Sequence, residues 1–436
     1  MKILQITAGA AGMYCGSCTR DNTLARALMA AGHDVTLVPV YTPTRPDEPN
    51  VSRDRVLFGG ISVYLQQYVP LFRATPRLLD RLWDSPAVIR ALAGRAISTD
   101  ARLLGELTIS MLRGEQGALH KEFAKLIEWT RGEPVPDVID LPNSLLIAMA
   151  APLRRAFNRP VCCTLQGEEF FLDSLVPPYR GQAVQLIREQ VPAIDRFIAV
   201  SDYETGFMST YLGIPRDRIS VVPLGINLDG YPDKSQIPNP KSQRAIGYFA
   251  RIAPEKGLHV LAEAYVRLRR RTEGLHMRFL AAGHLPRANQ AYLDSVRTIL
   301  QKGGVAQEFE YHGEVDRAGK IAFLRGLDVL SVPATYDEPK GIFLLEAMGC
   351  GVPVVQPRRG SFTEIVERTG GGLLVPPDDP DALAGALDRV VRTPALRGEL
   401  AQQAFDGVRR HYRVEQSAER LLEAYGLTGA QRIQPQ

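Results

Sequence analysis

The chain has 436 residues, more than one hydrophobic core usually fills, so two domains are expected. Apolar residues make up 45% and charged residues 23%, a balance typical of a globular protein. The net charge of +4 is too mild to indicate a nucleic-acid partner, although it permits contact with phosphates or an anionic membrane surface. No signal peptide and no bilayer-length apolar run are visible, which makes the cytoplasm the expected location.

Two short motifs contain residue types that bind metals, and each has a structural alternative. Cys15 and Cys18 have the C-x-x-C spacing of redox and zinc sites, but five cysteines in a large chain argue against a disulfide framework, and packing in a tight loop is favoured. Asp379 and Asp381 form a D-x-D motif, which helix capping before Pro380 explains better than metal binding. The sequence therefore predicts no metal site.

The first residues predict the start of a doubly wound α/β domain. Lys2 to Thr7 is a short apolar strand, followed by a glycine-rich loop from Gly9 to Gly16, a helix over Asp21 to Ala31 and a second strand over Val35 to Val40. The pattern GxGxxG and an acidic residue closing the second strand are both missing, which disfavours an NAD-dependent oxidoreductase. The glycine-rich loop still offers backbone N–H groups to a phosphate or sugar.

Further short apolar strands in this half end in polar or glycine residues: Val138 to Leu141, Val161 to Leu165, Phe197 to Val200 and Ile219 to Val222. Because parallel strands end at one edge of a sheet, those polar residues should line one rim, with turn chemistry as the alternative for any single residue. A helical insertion is predicted at about residues 75–131. The first domain is predicted over residues 1–228, a proline-rich linker over 229–244 and a second domain over 245–408.

A basic loop opens the second domain. The strand Ala245 to Ala250 is followed by Arg251, Lys256 and then a helix. A guanidinium fork, a point charge and a helix N-terminus are what a diphosphate needs, and an ordinary basic loop is the alternative. Two further strands end just before Gly283 and His312.

The stretch from Ser331 to Val355, SVPATYDEPKGIFLLEAMGCGVPVV, predicts a strand, a polar loop, a helix and the next strand. Glu338 lies in the loop and Glu346 in the helix, and each carboxylate can accept two hydroxyls of a sugar. The alternative makes Glu338 a turn residue and Glu346 a solvated helix residue. That alternative is less natural for Glu346, because the surrounding helix is apolar.

The combined pattern resembles the family-four glycosyltransferases, which retain anomeric configuration. The resemblance spans nearly the whole chain and rests on FARIAPEKG, EPKGIFLLEAMGCGVPVV, GGGLLVPPDDPDALAGAL and AVSDYETGFMSTYLGIPRDRISVVPLGIN. It implies the GT-B fold, an α/β architecture of two Rossmann-like domains facing across a cleft. It also implies that a C-terminal helix within residues 409–436 crosses back to the first domain.

The same resemblance implies roles for single residues. Arg251 and Lys256 would hold the donor diphosphate, Glu338 would contact the donor sugar near the reacting centre, and Glu346 would bind the ribose hydroxyls. Further residues are assigned to donor binding: Gly12, Gly283, His312, Gly341, Ile342 and Phe343. The acceptor or sugar side is assigned to Asn143, Gln166, Glu168 and Arg20.

Three positions depart from the family pattern. Gln166 stands where many relatives carry a histidine, and an amide cannot act as a base. Lys340 replaces a common aromatic residue, which bears on sugar choice, and Ala250 replaces a frequent glycine.

The sequence thus predicts a hexosyltransferase that uses a UDP-, GDP- or ADP-sugar, a sugar, glycan or lipid acceptor, and no cofactor or metal. Two alternatives share the architecture. A nucleotide-sugar epimerase would consume donor without an acceptor, and a catalytically idle nucleotide-sugar-binding protein would keep Arg251 and Lys256 but turn nothing over.

Overall fold

The computed structural model describes residues 1–9, 16–54, 56–58, 101–234 and 244–430, without the side chains of 101–103 and 427–430. Gly12, Cys15, the first part of the predicted helical insertion and most of the predicted linker lie outside the described residues. The chain divides into two compact units. The first comprises Met1–Pro223 with Val414–Gln436, and the second comprises Leu224–Arg413.

The first unit is built on a parallel sheet whose described strands are ordered β2-β1-β3-β4-β5-β6. These strands are β1 Lys2–Thr7, β2 Asp34–Pro39, β3 Val138–Leu141, β4 Val161–Leu165, β5 Arg196–Ala199 and β6 Ile219–Val221. The helices are α1 Gly16–Ala30, α2 Ala101–Leu112, α3 His120–Thr130, α4 Ala150–Phe157, α5 Glu168–Ser174, α6 Tyr179–Gln190 and α7 Asp202–Leu212.

The strands of this sheet are buried on both faces. Along β3, Ile139 packs into one apolar cluster with Phe123, while Val138 packs into the other with Leu24 and Leu421. Two covered faces require a nearly continuous apolar run in each strand, which is how these strands read in the sequence.

The second unit repeats this architecture with the described strands ordered β12-β11-β10-β7-β8-β9. They are β7 Arg244–Phe249, β8 Met277–Ala282, β9 Phe309–Tyr311, β10 Val329–Leu330, β11 Val354–Pro357 and β12 Gly372–Val375. Its helices are α8 Leu258–Arg271, α9 Gln290–Lys302, α10 Arg317–Arg325, α11 Ile342–Gly349, α12 Ser361–Thr369, α13 Pro380–Arg392 and α14 Pro394–His411. The expectation of two doubly wound α/β domains is confirmed.

Two predicted strands of the second unit differ from the observed ones. The strand expected over Val352 to Val355 is β11, which begins at Val354. Val352 does not join the sheet at its predicted position because its N–H donates to Ala347 O at 3.0 Å and closes the C-terminal turn of α11. The strand before the Glu338 loop is β10, which comprises only Val329 and Leu330.

The boundaries between the units also differ from the predicted ones at 228 and 408. Residues 224–234 belong to the second unit, because Ile226 N–H donates to Tyr412 O at 2.9 Å and Arg409 donates to Pro232 O at 2.8 Å. The C-terminal helix α15 runs over Val414–Ala430 and belongs to the first unit.

The helix α15 is anchored in the first unit by a buried polar contact. The Tyr425 hydroxyl donates to Asp140 Oδ2 at 2.9 Å, and Ser417 Oγ donates to Pro223 O at 2.6 Å. Burial raises the pKa of Asp140 to about 6, although Arg20 and the Tyr425 hydroxyl lower it in part. Among the described residues, no helix is long and apolar enough to cross a bilayer.

Candidate functional site

The loops that follow β7 and β10 carry the two predicted motifs, and the structure brings them together. Thr335 N–H donates to Glu255 O at 2.9 Å, which joins the loop of Lys256 to the loop of Glu338. Gly257 has φ +75° and packs so closely that a Cβ would lie 1.9 Å from Pro333 O. Only glycine fits this contact, so the register between the two loops is fixed by backbone.

Lys256, Tyr336 and Glu338 form one hydrogen-bonded cluster. The Lys256 ammonium pairs with Glu338 Oε2 and donates to the Tyr336 hydroxyl at 2.6 Å, and that hydroxyl donates to Glu338 Oε2 at 2.5 Å. The ammonium also lies 5.0 Å from the centre of the Tyr336 ring and 5.7 Å from that of Phe343. Glu338 is only 3% exposed, so these donors replace the water that a carboxylate needs.

The environment of Glu338 sets its ionisation state. Burial alone would raise the pKa of the carboxyl, but the Lys256 charge and the hydrogen bonds from Lys256 and Tyr336 outweigh it and lower the pKa to about 2. Burial and the neighbouring Glu338 charge raise the pKa of the Tyr336 phenol. At neutral pH, Glu338 is therefore an ionised acceptor and Tyr336 a protonated donor.

The backbone beneath Glu338 is also fixed. Ser361 donates to Glu338 O from both its N–H and its Oγ, each at 2.8 Å. A Cβ on Gly360 would lie 2.5 Å from the same oxygen, and φ at Gly360 is +50°. The Glu338 side chain is thus presented from a backbone that the start of α12 holds in place.

Arg251 lies at the more open side of this site. Its guanidinium pairs with Glu255, and its side chain is 49% exposed. The buried Tyr248 hydroxyl donates to Arg251 O at 3.0 Å and fixes the backbone there. Arg251 and Lys256 thus supply one exposed and one mostly buried cation within a single loop.

Glu346 is buried on α11 and pairs with Lys320 of α10. The Lys320 ammonium lies 2.5 Å from Glu346 Oε1, and the two side chains are 8% and 9% exposed. The alternative reading of Glu346 as a solvated helix residue is therefore wrong. Sequence reasoning missed Lys320, because a lysine on an amphipathic helix has no local signal that it will be buried.

The residues Gly341, Ile342 and Phe343 open α11. Gly341 has φ +63° and precedes the helix, so the first backbone N–H groups of α11 are those of Ile342 and Phe343. Phe343 is 7% exposed and lies beneath the Lys256 ammonium. The predicted helix start is thus next to the Lys256–Glu338 pair.

Gly283 and His312 lie at the ends of β8 and β9. A Cβ on Gly283 would lie 2.0 Å from Ala250 O, which places this glycine directly against the start of the Arg251 loop. The His312 ring packs edge-on against Phe323 of α10 at 5.4 Å. Phe323 is one helical turn from Lys320, so this row of side chains connects the end of β9 to the buried Glu346.

In the first unit the structure brings Asn143, Gln166 and Glu168 to neighbouring strand ends. Glu168 accepts the N–H of Ser144 at 2.7 Å and that of Gln166 at 2.6 Å, and Gln166 Nε2 donates to Pro142 O at 2.8 Å. Their hydrogen bonds hold the rim loops together. Their assignment to an acceptor stays a prediction.

Arg20, predicted for the same side, is buried in α1. Its guanidinium donates to Asp21 Oδ1 at 3.1 Å, and Asp21 also accepts the Thr7 hydroxyl at 2.8 Å. Within the described part of the chain, none of the three rim residues is a hydrogen-bond partner of Arg20. The assignment of Arg20 to the acceptor or sugar side stays a prediction.

The groups that could hold a metal are few in the described residues. Glu168, Glu169 and Glu204 offer oxygens within 4.8 Å of one another. Both Glu168 oxygens already accept backbone N–H groups, and Glu204 accepts the N–H of Gly167 at 3.1 Å. These bonds are what helix and loop ends require, and they account for both Glu168 oxygens and one Glu204 oxygen.

The D-x-D motif has the predicted capping role. Asp379 Oδ1 accepts the N–H groups of Asp381 and Ala382 at 3.0 and 2.9 Å, and α13 begins at Pro380. Asp381 pairs with Arg267 at 3.2 Å. Both carboxylates thus have structural partners.

The chain has two doubly wound α/β units. In the second unit the Arg251–Lys256 loop and the Glu338 loop lie at strand ends, and Glu346 lies on the helix that follows. Together these features define the GT-B class of glycosyltransferase. Residues 17–225 match the family model described as "Glycosyl transferase 4-like domain", and residues 232–406 match the model described as "Glycosyl transferases group 1". The chain belongs to this family, the family-four glycosyltransferases.

Curated relatives include the phosphatidyl-myo-inositol mannosyltransferase of Mycobacterium leprae. It is 30% identical over 216 residues, which are 49% of this chain and 54% of the relative. The D-inositol 3-phosphate glycosyltransferase of Actinosynnema mirum is 29% identical over 266 residues, which are 58% of this chain and 62% of the relative. The matches thus span only a little over half the length of these relatives.

Solved structures with the same fold cover almost the whole chain. Sucrose-phosphate synthase of Thermosynechococcus elongatus has a TM-score of 0.70 at 20% identity, covering 99% of this chain and 100% of that one. Anabaena HepE, solved with UDP and glucose, has a TM-score of 0.68 at 17% identity, covering 98% and 99%. At these identities the likeness shows the fold alone.

A double-mutant cycle tests the buried pair. Lys256→Met leaves the Glu338 carboxylate buried without its cation and should cost about 3 kcal/mol of unfolding free energy at pH 7. Lys256→Met/Glu338→Gln should cost clearly less than the sum of the two single variants, since no charge is left unpaired. Urea unfolding gives the free energy of unfolding of the wild type, the two single variants and the double variant.

The pH dependence gives a second readout of the same pair. Because the pKa of Glu338 is lowered to about 2, its contribution to stability is complete above its ordinary pKa of 4.5 and is lost as the pH falls towards 2. Lys256→Met should lose this acid-side component. Additive single-variant costs, or an unchanged acid slope, would contradict the pairing.

Proposed function

We propose that this protein transfers a hexose from a nucleoside diphosphate sugar to a hydroxyl of a glycan, lipid or small-molecule acceptor, with retention of anomeric configuration. One observation carries the proposal. The Arg251–Lys256 loop and the loop of Glu338 are bonded side by side at the ends of β7 and β10, with the buried Glu346 on the helix that follows. Cations for a diphosphate and ionised acceptors for hydroxyls thus occupy neighbouring loops of one unit.

The main electrostatic demand of glycosyl transfer is the charge that develops on the departing diphosphate. Arg251 offers a planar fork and Lys256 a compact point charge, and together they suit a diphosphate without a metal ion. In this proposal, no metal or other cofactor takes part. The Glu338 carboxylate accepts hydrogen bonds from hydroxyls of the donor sugar, and the Glu346 carboxylate accepts them from the ribose.

The proposed reaction is a substitution at the anomeric carbon of the donor. The acceptor hydroxyl forms the new C–O bond from the face that the diphosphate leaves. The bond between the anomeric carbon and the diphosphate oxygen breaks, and its electron pair stays on that oxygen. The same oxygen takes the proton of the acceptor hydroxyl, so no side chain needs to act as a base.

The names of the relatives guide the choice of substrates. One curated relative is named for mannosyl transfer to phosphatidyl-myo-inositol and another for glycosyl transfer to D-inositol 3-phosphate. A solved neighbour contains UDP and glucose. The proposed acceptors therefore include polyols and lipids that carry them. With a lipid acceptor, the protein would work as a peripheral protein on the cytoplasmic face of a membrane.

Gln166 supports one alternative, a catalytically idle nucleotide-sugar-binding protein. It stands where the family pattern has a histidine, and its side-chain amide donates to Pro142 O at 2.8 Å. Such a protein would bind the donor through the second unit and form no product. Detection of a glycosylated acceptor separates the two functions.

A thermal-shift panel tests donor binding. With UDP, GDP, ADP and their common sugars at about 100 times the dissociation constant, one nucleotide class should stabilise the wild type by about 2.7 kcal/mol. Arg251→Ala should lose most of that stabilisation, because the diphosphate loses its charged fork. Arg278→Ala removes an exposed arginine that pairs with Glu310 in the same unit, and it should retain the shift. An equal shift in wild type and Arg251→Ala would contradict the donor site.

The ribose assignment has its own test. Wild type should bind its nucleoside diphosphate about tenfold more tightly than the 2′,3′-dideoxy analogue, since hydrogen bonds to an ionised acceptor are strong. Glu346→Gln should bring the two affinities close together. Calorimetry with both ligands measures the ratio. If Glu346→Gln keeps the full preference for the ribose hydroxyls, another residue recognises them.

A further inference from the structure

The Tyr336 hydroxyl contacts both members of the Lys256–Glu338 ion pair. It accepts a hydrogen bond from Lys256 Nζ at 2.6 Å and donates one to Glu338 Oε2 at 2.5 Å, and its ring centre lies 5.0 Å from the ammonium. We propose that Tyr336 is a positioning residue of the donor site, which holds the Glu338 carboxylate in place while Lys256 turns to the diphosphate. This inference rests on the proposed function.

Lys256 has competing partners. In the described structure its ammonium is engaged by Glu338 and Tyr336, and Glu338 is almost completely buried. A donor diphosphate brings further negative charge to the same ammonium. The flexible four-carbon stem of lysine lets the ammonium follow that charge. The backbone has less freedom, because Thr335 is bonded to Glu255 and Gly257 is packed on Pro333.

The carboxylate that Lys256 leaves needs other hydrogen-bond donors. A buried carboxylate without donors is costly, so without Tyr336 the pair would resist opening. The Tyr336 hydroxyl and the Lys340 N–H, which donates to Glu338 Oε1 at 3.3 Å, remain as donors from the protein. Both donors keep Glu338 ionised and oriented towards the sugar while the lysine is engaged elsewhere.

The Tyr336 phenol is a permanent hydrogen-bond donor. Burial and the Glu338 charge raise its pKa, so it stays protonated throughout the working pH range. A purely structural role of Tyr336 would depend on its ring, whose centre lies 5.0 Å from the Lys256 ammonium. Tyr336→Phe keeps that ring and removes only the hydroxyl, so this substitution separates the two roles.

The test compares the affinities of UDP, GDP and ADP with those of the corresponding monophosphates by calorimetry. Tyr336→Phe should weaken binding of the diphosphate that wild type prefers by about tenfold, because opening the Lys256–Glu338 pair now strands the carboxylate. The monophosphate, which makes a weaker demand on Lys256, should lose much less. The deficit of Tyr336→Phe should also shrink as the pH is lowered, because a protonated Glu338 carboxyl is neutral and needs no donors, and the lost hydrogen bond raises the pKa of Glu338.

Tyr265→Phe is the matched control. Its hydroxyl also donates to a carboxylate, that of Glu308. Glu308 precedes β9, so it lies at the amino ends of the strands, whereas the site lies at their carboxyl ends. This control should bind both nucleotides as wild type does. Glu338→Gln provides a second background, since an amide needs no charge compensation. There, adding Tyr336→Phe should have little further effect on diphosphate affinity.

The outcomes separate this inference from the function beneath it. Equal diphosphate affinity and pH dependence in wild type and Tyr336→Phe would overturn the positioning role. Equal losses for mono- and diphosphate would overturn it too, because they indicate a general packing defect. If wild type itself binds none of the diphosphates, the proposed function fails and the inference fails with it.

Discussion

The buried ion pair between Lys256 and Glu338 is the interaction on which the candidate site depends. Glu338 has given up almost all of its contact with water, so its charge is stable only while donors surround it. Its charged donor, Lys256, comes from a loop that is distant in sequence, and the bond from Thr335 to Glu255 holds the two loops in register. The site is thus held together by contacts within the protein.

Both cations assigned to the donor diphosphate pair with an acid of the protein, and so does Lys320, the partner of Glu346. Arg251 pairs with Glu255, Lys256 with Glu338 and Lys320 with Glu346. Each internal carboxylate holds its cation in place and offsets its charge. A ligand must therefore compete with an acid of the protein for each cation that it uses. This competition favours a compact ligand with high negative charge, such as a diphosphate, over weaker anions.

Much of this organisation was predictable from the sequence because its signals are local. Apolar runs ending in proline or glycine mark the strands, and the spacing of Glu338 and Glu346 places one acid in a loop and the other in a helix. The Lys320–Glu346 pair and the contact of Tyr336 with Lys256 could not be predicted, since they depend on which loops and helices meet in space. The division between the units differed for the same reason, because long-range hydrogen bonds attach residues 224–234 to the second unit.

The decisive measurement is a crystal structure of the chain with its nucleoside diphosphate sugar bound. Diphosphate oxygens should lie within hydrogen-bond distance of Arg251 and Lys256, ribose hydroxyls on Glu346 and sugar hydroxyls on Glu338. A nucleotide bound away from the ends of β7 and β10, with the Lys256–Glu338 and Lys320–Glu346 pairs remote from the ligand, would contradict the proposed site.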